Sequence, residues 1–416
     1  MRTMHDNPRG RSRAQRTAWR NAIVLVVAAW MGTACAGRAP EGGRPRAGAA
    51  PSYDLLIRNG TIIDGSGSPR YVGDVAVRAG RIVAIGPTGT VEPREAAQLV
   101  DATGLVVAPG FIDVLSGSGG ALLYGDGRSV SKVTQGITTE ILGEGSSAAP
   151  VRDDHPGLRG TPGQPPRVFA GEHAFDDWLN AMERHGISPN VGSFVGGSTL
   201  RRYGMGLSMK PATPGALDSM RTAMRNAMED GALGLGTALI YAPGNYASTE
   251  ELIEIAKVMR PYGGLYITHM RSEADRVLEG IDEAIRIGKE AGVPVEIYHL
   301  KVAGKRNWPK AAQVVAKIDS ARAAGIDITA NMYPYTAAAT GLTACLPTWI
   351  SADGKLFENL SDPATRARVR AEVENPTSYW ENFCEQATPE GVVLTRLRHP
   401  DNVKWTGRSL SDVMAE

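Results

Sequence analysis

The stretch LYITHMRSEADRVLEGIDEAIRIGKEAGVPVEIYHLK, residues 265–301, sets the grammar of the chain. Leu265-Tyr-Ile-Thr-His269 and Val295-Glu-Ile-Tyr-His299 are short β-rich runs, and the segment between them, Glu273–Ala291, reads as a helix. Gly292 stands where a helix C-cap belongs. The two histidines are 30 residues apart. A barrel of about 250 residues and eight units spends roughly 31 residues on each strand–helix unit.

Working outward, the same alternation holds on both sides. Candidate strands are Val106–Val114, Gly136–Leu142, Asn190–Val195, Ala232–Leu239, Leu265–Met270, Val295–Lys301 and Asp327–Tyr333. Candidate helices are Ala174–His185, Pro214–Asp230, Ser248–Arg260, Glu273–Ala291 and Trp308–Ala324. Ser248-Thr-Glu-Glu marks a helix start, with carboxylates in the first turn. Repeated strand-then-helix units imply parallel strands, hence a doubly wound sheet or a (β/α)₈ TIM-type barrel. The spacing favours the barrel. Seven strands are found, and the barrel is expected to be incomplete. The segment 363–416 reads as helical, with one strand-like stretch, Gly391–Leu397, that makes a poor eighth strand. Residues 108–416 are therefore expected to form the barrel.

Residues 53–107 follow different rules. Asn59-Gly60 and Ala79-Gly80 are hairpin signals between short β runs, which predicts a small antiparallel sheet. Val151–His173 is rich in proline and glycine. It follows the second strand, so it is expected to lie over the strand ends as a lid or binding loop.

The 416 residues are 42% hydrophobic and 21% charged, an ordinary globular balance. The net charge is +1, with acids and bases interleaved, which leaves no footprint for nucleic acid. Residues 1–36 run from five arginines (Arg9 to Arg20) through an apolar stretch, Ala22–Met31, to small residues. That is the order of an export signal. Cys35 gives two readings: a lipidated cysteine, which the Gly at position 32 argues against, or cleavage after Ala36. Residues 37–52 read as a flexible tether. A periplasmic or extracellular protein is expected, with membrane contact only through such an anchor. Cys345 and Cys384 remain, and they are expected to be two separate buried thiols rather than a bridge.

Active sites of such barrels form at the C-terminal strand ends. His269 and His299 end neighbouring strands, and Glu144 follows the second strand. Two imidazoles and a carboxylate make a Zn²⁺ site with room for water, and another divalent ion would fit the same donors. The bland reading of a lone strand-end histidine is a structural residue, but two of them one unit apart favour metal. His5, His155, His173, His185 and His399 read as surface residues.

These residues carry a resemblance to the N-acyl-D-amino-acid deacylases of the amidohydrolase superfamily, from Asp54 to the last residue. It rests on Asp54-Leu-Leu-Ile-Arg-Asn-Gly-Thr-Ile-Ile-Asp-Gly-Ser-Gly, Val107-Ala-Pro-Gly-Phe-Ile-Asp, Gln135-Gly-Ile-Thr-Thr-Glu, Glu229-Asp-Gly-Ala-Leu-Gly-Leu, Tyr241-Ala-Pro-Gly-Asn-Tyr-Ala-Ser-Thr-Glu-Glu-Leu, Thr268-His-Met-Arg-Ser-Glu and Tyr333-Pro-Tyr-Thr. The resemblance implies a metal-dependent barrel flanked by a small β-sandwich, and hydrolysis of the amide of a small N-acylated D-amino acid. It implies that His269 and His299 are metal ligands, that Lys301 pairs with the substrate carboxylate and that Tyr241 contacts substrate. Two other readings stay open: a cyclic-amide hydrolase of the hydantoinase kind, and a non-catalytic binding protein on a decayed barrel.

Three departures qualify the resemblance. Leu115 and Gly117 stand where the family places two further metal histidines. The family's strand-two cysteine ligand falls at Gly145, so Glu144 is expected to substitute for it. The family's catalytic aspartate after strand eight has no counterpart in a matching setting, since Asp401 and Asp412 lie in the wrong context. No catalytic residue is identified in the chain, and that aspartate is expected to lie beyond Glu416. The sequence is therefore expected to be a fragment of a longer protein, able to hold metal and inactive as given.

Overall fold

The computed structural model describes residues 52–92, 96–152, 167–375, 379–397 and 399–416. The expected export signal, Cys35, the tether up to residue 51, His5, His155 and residues 153–166 of the proline-rich loop lie outside the described residues. Among the described residues, no helix is long and apolar enough to cross a membrane. The chain divides into two compact units.

The first unit gathers the described residues up to Asp113 with Arg128–Glu140 and Ile187–Asn190. Its sheet is built from β1 (Tyr53–Ile62), β2 (Tyr71–Arg78), β3 (Arg81–Pro87), β4 (Ala96–Asp101) and β5 (Val106–Val107). The order is β3-β2-β1-β4, with β5 also on β1. β1–β2 and β2–β3 are antiparallel, whereas β4 and β5 run parallel to β1. The sheet is thus mixed, not antiparallel throughout. Ala79 and Gly80 both take positive φ (48° and 71°), as the tight turn of a right-twisted hairpin requires. Asn59-Gly60 does not turn the chain. It forms a bulge within one ten-residue strand, with Asn59 at φ 59°. The buried carboxylate of Asp74 holds that bulge by accepting from Asn59 N at 3.0 Å, and it accepts from Gly89 N at 2.7 Å. Leu56, Ala76 and Val91 form the buried cluster of this sheet.

The remaining strands are β6 (Phe111–Asp113), β7 (Ile137–Leu142), β8 (Asn190–Ser193), β9 (Val195–Gly196), β10 (Gly234–Ala238), β11 (Leu265–His269), β12 (Val295–Ile297) and β13 (Ile328–Ala330). One sheet has the order β6-β7-β8 and another the order β9-β10-β11-β12-β13. The pairs β9–β10, β10–β11, β11–β12, β12–β13 and β6–β7 are all parallel. The chain is therefore α/β, with its parallel strands in sequence order. Only Phe194 separates β8 from β9, so both fall within one expected strand. The expected strand Val106–Val114 splits instead: Val106–Val107 joins the small sheet, and Phe111–Asp113 pairs with β7.

The second unit comprises residues 114–127, 141–186 and 191–416. Its helices include Ala174–His185, Pro214–Glu229, Thr249–Ala256, Val277–Ala291 and Ala311–Ala323. Ser248 Oγ accepts from Glu251 N at 3.1 Å and caps its helix. Gly292 takes φ 70° at the end of the helix before β12. A further helix, Gly197–Met205, is not visible in the sequence pattern, because glycine opens it and polar Ser198, Thr199 and Arg201 lie on its buried side. Phe194, Ile267 and Tyr298 form a buried apolar cluster with Leu115, Ile141 and Leu265 against it. Residues 391–397 form no strand. Val393 makes an isolated antiparallel bridge to Ser409. Cys345 and Cys384 are joined by a disulfide, with Cα atoms 5.1 Å apart, which corrects the expectation of separate thiols.

Candidate metal centre

The parallel strands deliver three side chains to one place in the second unit. His269 is the last residue of β11, His299 lies two residues past β12, and Glu144 lies two residues past β7. Their donor atoms all fall within 4.8 Å of one another. Glu144 Oε1 is 3.1 Å from His269 Nδ1 and 3.1 Å from His299 Nε2. The imidazoles meet edge to face, with centroids 4.5 Å apart and planes at 88°.

Backbone geometry aims each group. Glu144 sits between Gly143 (φ 104°) and Gly145 (φ 62°), a conformation that side chains resist. A Cβ at Gly143 would stand 2.2 Å from the Phe194 carbonyl oxygen, and one at Gly145 would stand 2.6 Å from Ala238 Cβ. A cysteine at position 145 would therefore collide with β10, while the longer Glu144 reaches the histidines from one position earlier. His299 itself takes φ 37°, strained for a side-chain-bearing residue. Asn331 stabilises that turn, accepting from His299 N at 2.7 Å through its side chain and from Leu300 N at 2.8 Å through its carbonyl.

A second carboxylate, Glu273, closes the other side. It is buried, and both its oxygens are 2.7 Å from Lys301 Nζ. Its Oε1 is 3.0 Å from His299 Nδ1, and its Oε2 is 3.5 Å from His269 Nε2, a buried nitrogen that makes no hydrogen bond. Lys301 Nζ also approaches His299 Nδ1 at 2.9 Å. The sequence pattern does not single out Glu273, although it ends the Thr268–Glu273 motif four residues after His269. Glu381 carries no sequence signal either. It accepts from Ser272 Oγ, from Glu273 N at 3.0 Å and from Ala274 N at 2.9 Å.

The electrostatics follow from these contacts. Burial pushes the Glu144 carboxyl up, but hydrogen bonds from the two histidines outweigh it and hold it at about 2. Burial also opposes ionisation of Glu273, yet the fields and hydrogen bonds of His269, His299 and Lys301 bring it to about 2. Burial disfavours a charged His299, and the two carboxylates override it, raising that imidazole to about 9. Burial raises the Tyr241 phenol.

The other expected site residues lie close by. The Tyr241 ring is 5.4 Å from the His269 ring, and its Oη shares a 2.8 Å hydrogen bond with Thr340 Oγ1. Lys301 is close too, but Glu273 already holds its ammonium. Leu115 packs on the Phe194 cluster and offers no ligand atom. His173, His185 and His399 are exposed.

Among the described residues, the converging group of donors contains no aspartate. Asp401 and Asp412 stand apart from it. Asp401 is exposed in a 3₁₀ turn, and Asp412 closes a capping box with Ser409. Glu416, the residue beyond which the catalytic aspartate is expected, follows the helix Leu410–Ala415. Its exposed carboxylate faces Arg408 Nη2 at 3.7 Å and does not join the centre.

The donor set itself fits a divalent ion. A carboxylate oxygen 3.1 Å from each of two imidazole nitrogens suits metal–ligand bonds of about 2.0–2.2 Å in a tetrahedral arrangement.

The chain is 36% identical over 296 residues to the D-aminoacylase of Alcaligenes xylosoxydans xylosoxydans, covering 70% of this chain and 59% of that protein. It is 37% identical over 292 residues to the N-acyl-D-aspartate deacylase of the same organism, covering 70% of this chain and 57% of that protein. The crystal structure of the N-acyl-D-glutamate deacylase of Bordetella bronchiseptica, complexed with zinc and a phosphonate inhibitor, superposes with a TM-score of 0.69 at 30% identity, covering 88% of this chain and 67% of that one. The chain thus spans under two thirds of the length of the two curated relatives. No protein-family model matches it. The chain belongs to the N-acyl-D-amino-acid deacylase family of the amidohydrolase superfamily.

Proposed function

We propose that this protein is a metal-dependent amidohydrolase that cleaves the amide C–N bond of a small N-acyl-D-amino acid. The observation that carries the proposal is the single oxygen, Glu144 Oε1, placed 3.1 Å from a nitrogen of each strand-end histidine. The relatives, a D-aminoacylase and deacylases of N-acyl-D-aspartate and N-acyl-D-glutamate, support the substrate class. In this reading the seven parallel strand positions belong to a (β/α)₈ barrel over residues 108–416, and residues 53–107 contribute to a flanking β-sandwich. One zinc ion is the cofactor. Export is part of the same reading. The arginine-to-apolar N-terminal pattern supports it, and so does the Cys345–Cys384 disulfide, since disulfides persist in oxidising compartments.

Glu144, His269 and His299 would hold the ion. Bound there, it supplies Lewis acidity, polarising an amide carbonyl and making water a nucleophile near neutral pH. Tyr241 stays a protonated phenol because burial raises its pKa, so its Oη can donate to a substrate oxygen beside His269. Lys301, a quarter exposed, offers an ammonium to the substrate carboxylate while Glu273 holds it from behind.

The Lys301–Glu273 pair favours one second reading, a hydrolase of neutral cyclic amides, because Glu273 already offsets the lysine charge. Lys301→Ala separates the two readings. It should sharply lower kcat/KM on an N-acyl amino acid and leave a neutral ring unaffected. The proposal as a whole is tested by metal analysis after zinc loading, with an assay of amine release from N-acyl-D-amino acids. Metal uptake lost in His269→Ala supports it. A wild type as metal-poor as His269→Ala rejects it. Amine release from an N-acyl-D-amino acid supports the substrate class.

A further inference from the structure

Each imidazole of the site has two nitrogens, and the structure gives each nitrogen a different carboxylate. His269 Nδ1 and His299 Nε2 face Glu144, both at 3.1 Å. His269 Nε2 and His299 Nδ1 face Glu273, at 3.5 Å and 3.0 Å. Among the described residues, the group whose donor atoms converge within 4.8 Å is Glu144, His269 and His299, and Glu273 is outside it.

Glu273 is itself held firmly. Its backbone N donates to Glu381 at 3.0 Å, and its carbonyl accepts from Ala303 N at 2.7 Å. The next residue, Ala274, also donates to Glu381, at 2.9 Å. The carboxylate is buried, so its charge must be met inside the protein, and Lys301 with the two imidazoles meets it. A carboxylate behind a ligating histidine accepts a hydrogen bond from the N–H of the outward nitrogen, fixes the ring and leaves the other nitrogen free for a ligand role.

We propose that Glu273 is the positioning residue of this site. One buried carboxylate orients both imidazoles, His299 through the 3.0 Å contact at Nδ1 and His269 through its charge 3.5 Å from Nε2, turning Nδ1 of His269 and Nε2 of His299 toward Glu144. The sequence contains the arrangement in compact form, with Glu273 four residues beyond His269 and Lys301 two beyond His299. The inference rests on the metal reading of the site. The competing account gives Glu273 no task except balancing Lys301.

The test is Co²⁺ binding to the metal-stripped full chain, followed by visible absorption, with affinity from competition against a chelator. Circular dichroism checks the fold of each variant. Glu273→Ala should weaken Co²⁺ binding by about 10–100-fold and change the ligand-field bands. Glu273→Gln should recover part of the loss, because its amide oxygen still accepts one ring proton. The paired variant Glu273→Gln/Lys301→Gln removes both charges together. It should stay weaker than wild type, and it decides the matter if Glu273→Ala does not fold. If the paired variant binds Co²⁺ with the wild-type constant and spectrum, Glu273 only balances Lys301 and the inference is overturned. If wild type binds no Co²⁺, the metal reading falls and the inference with it.

Discussion

Lys301 Nζ sits 2.7 Å from both carboxylate oxygens of Glu273. Glu273 is buried and Lys301 is a quarter exposed, so the two ends of this pair are unequal. Removing one partner of a fully buried pair costs about 3–5 kcal/mol. Solvent reaching Lys301 reduces that, so Lys301→Met should destabilise the protein by less than this range. Adding Glu273→Gln to Lys301→Met should restore part of the stability, because no uncompensated charge remains. Urea denaturation of the single and paired variants measures both effects.

Gly145 allows Glu144 to reach its histidines. At φ 62° any side chain costs roughly 1–2 kcal/mol, and its Cβ would also press on Ala238. Gly145→Ala should therefore lower the melting temperature and weaken metal affinity together. Gly145→Cys should fail to install a thiolate ligand, which the absence of sulfur-to-metal charge-transfer bands in the Co²⁺ form would show.

The disulfide between Cys345 and Cys384 spans 39 positions. The chain-entropy account assigns about 4 kcal/mol to closing a loop of that size. Cys384→Ser should shift the urea midpoint down accordingly, and dithiothreitol should reproduce the shift in wild type while leaving the variant unmoved.

His173 Nδ1 is 3.0 Å from Asp230 Oδ1, and this hydrogen bond and charge raise the imidazole above 6.5, its ordinary value. A group with a raised folded-state pKa contributes stability that is fully present below the unfolded value. That contribution disappears as pH rises through the folded value. NMR titration should find His173 elevated in wild type and ordinary in Asp230→Asn.

The parts legible in the sequence are those that local pattern controls. Parallel strands announce themselves as short runs between helices, so the order from β6 to β13 and the placing of His269 and His299 at strand ends could be read directly. Asn59-Gly60 misled because the dipeptide that turns a hairpin also makes a bulge, and the choice depends on Asp74, fifteen residues away. The disulfide has no spacing signature, since tertiary folding alone brings its cysteines together. Glu273 was hidden for a related reason: its task depends on Glu381, more than a hundred residues later, holding its backbone. Glu144 could be read as the neighbour of a missing ligand, but the cause, Ala238 beside Gly145, is visible only in three dimensions.

That substitution has a consequence for durability. A thiolate ligand can be oxidised to sulfenic acid and beyond, and each step removes a donor. Here the three donors are nitrogen and oxygen, and Cys345 and Cys384 are already paired with each other. Among the described residues, the donor group offers peroxide and thiol-trapping reagents no sulfur to attack, so an oxidant that closes the disulfide has no ligand thiolate to consume.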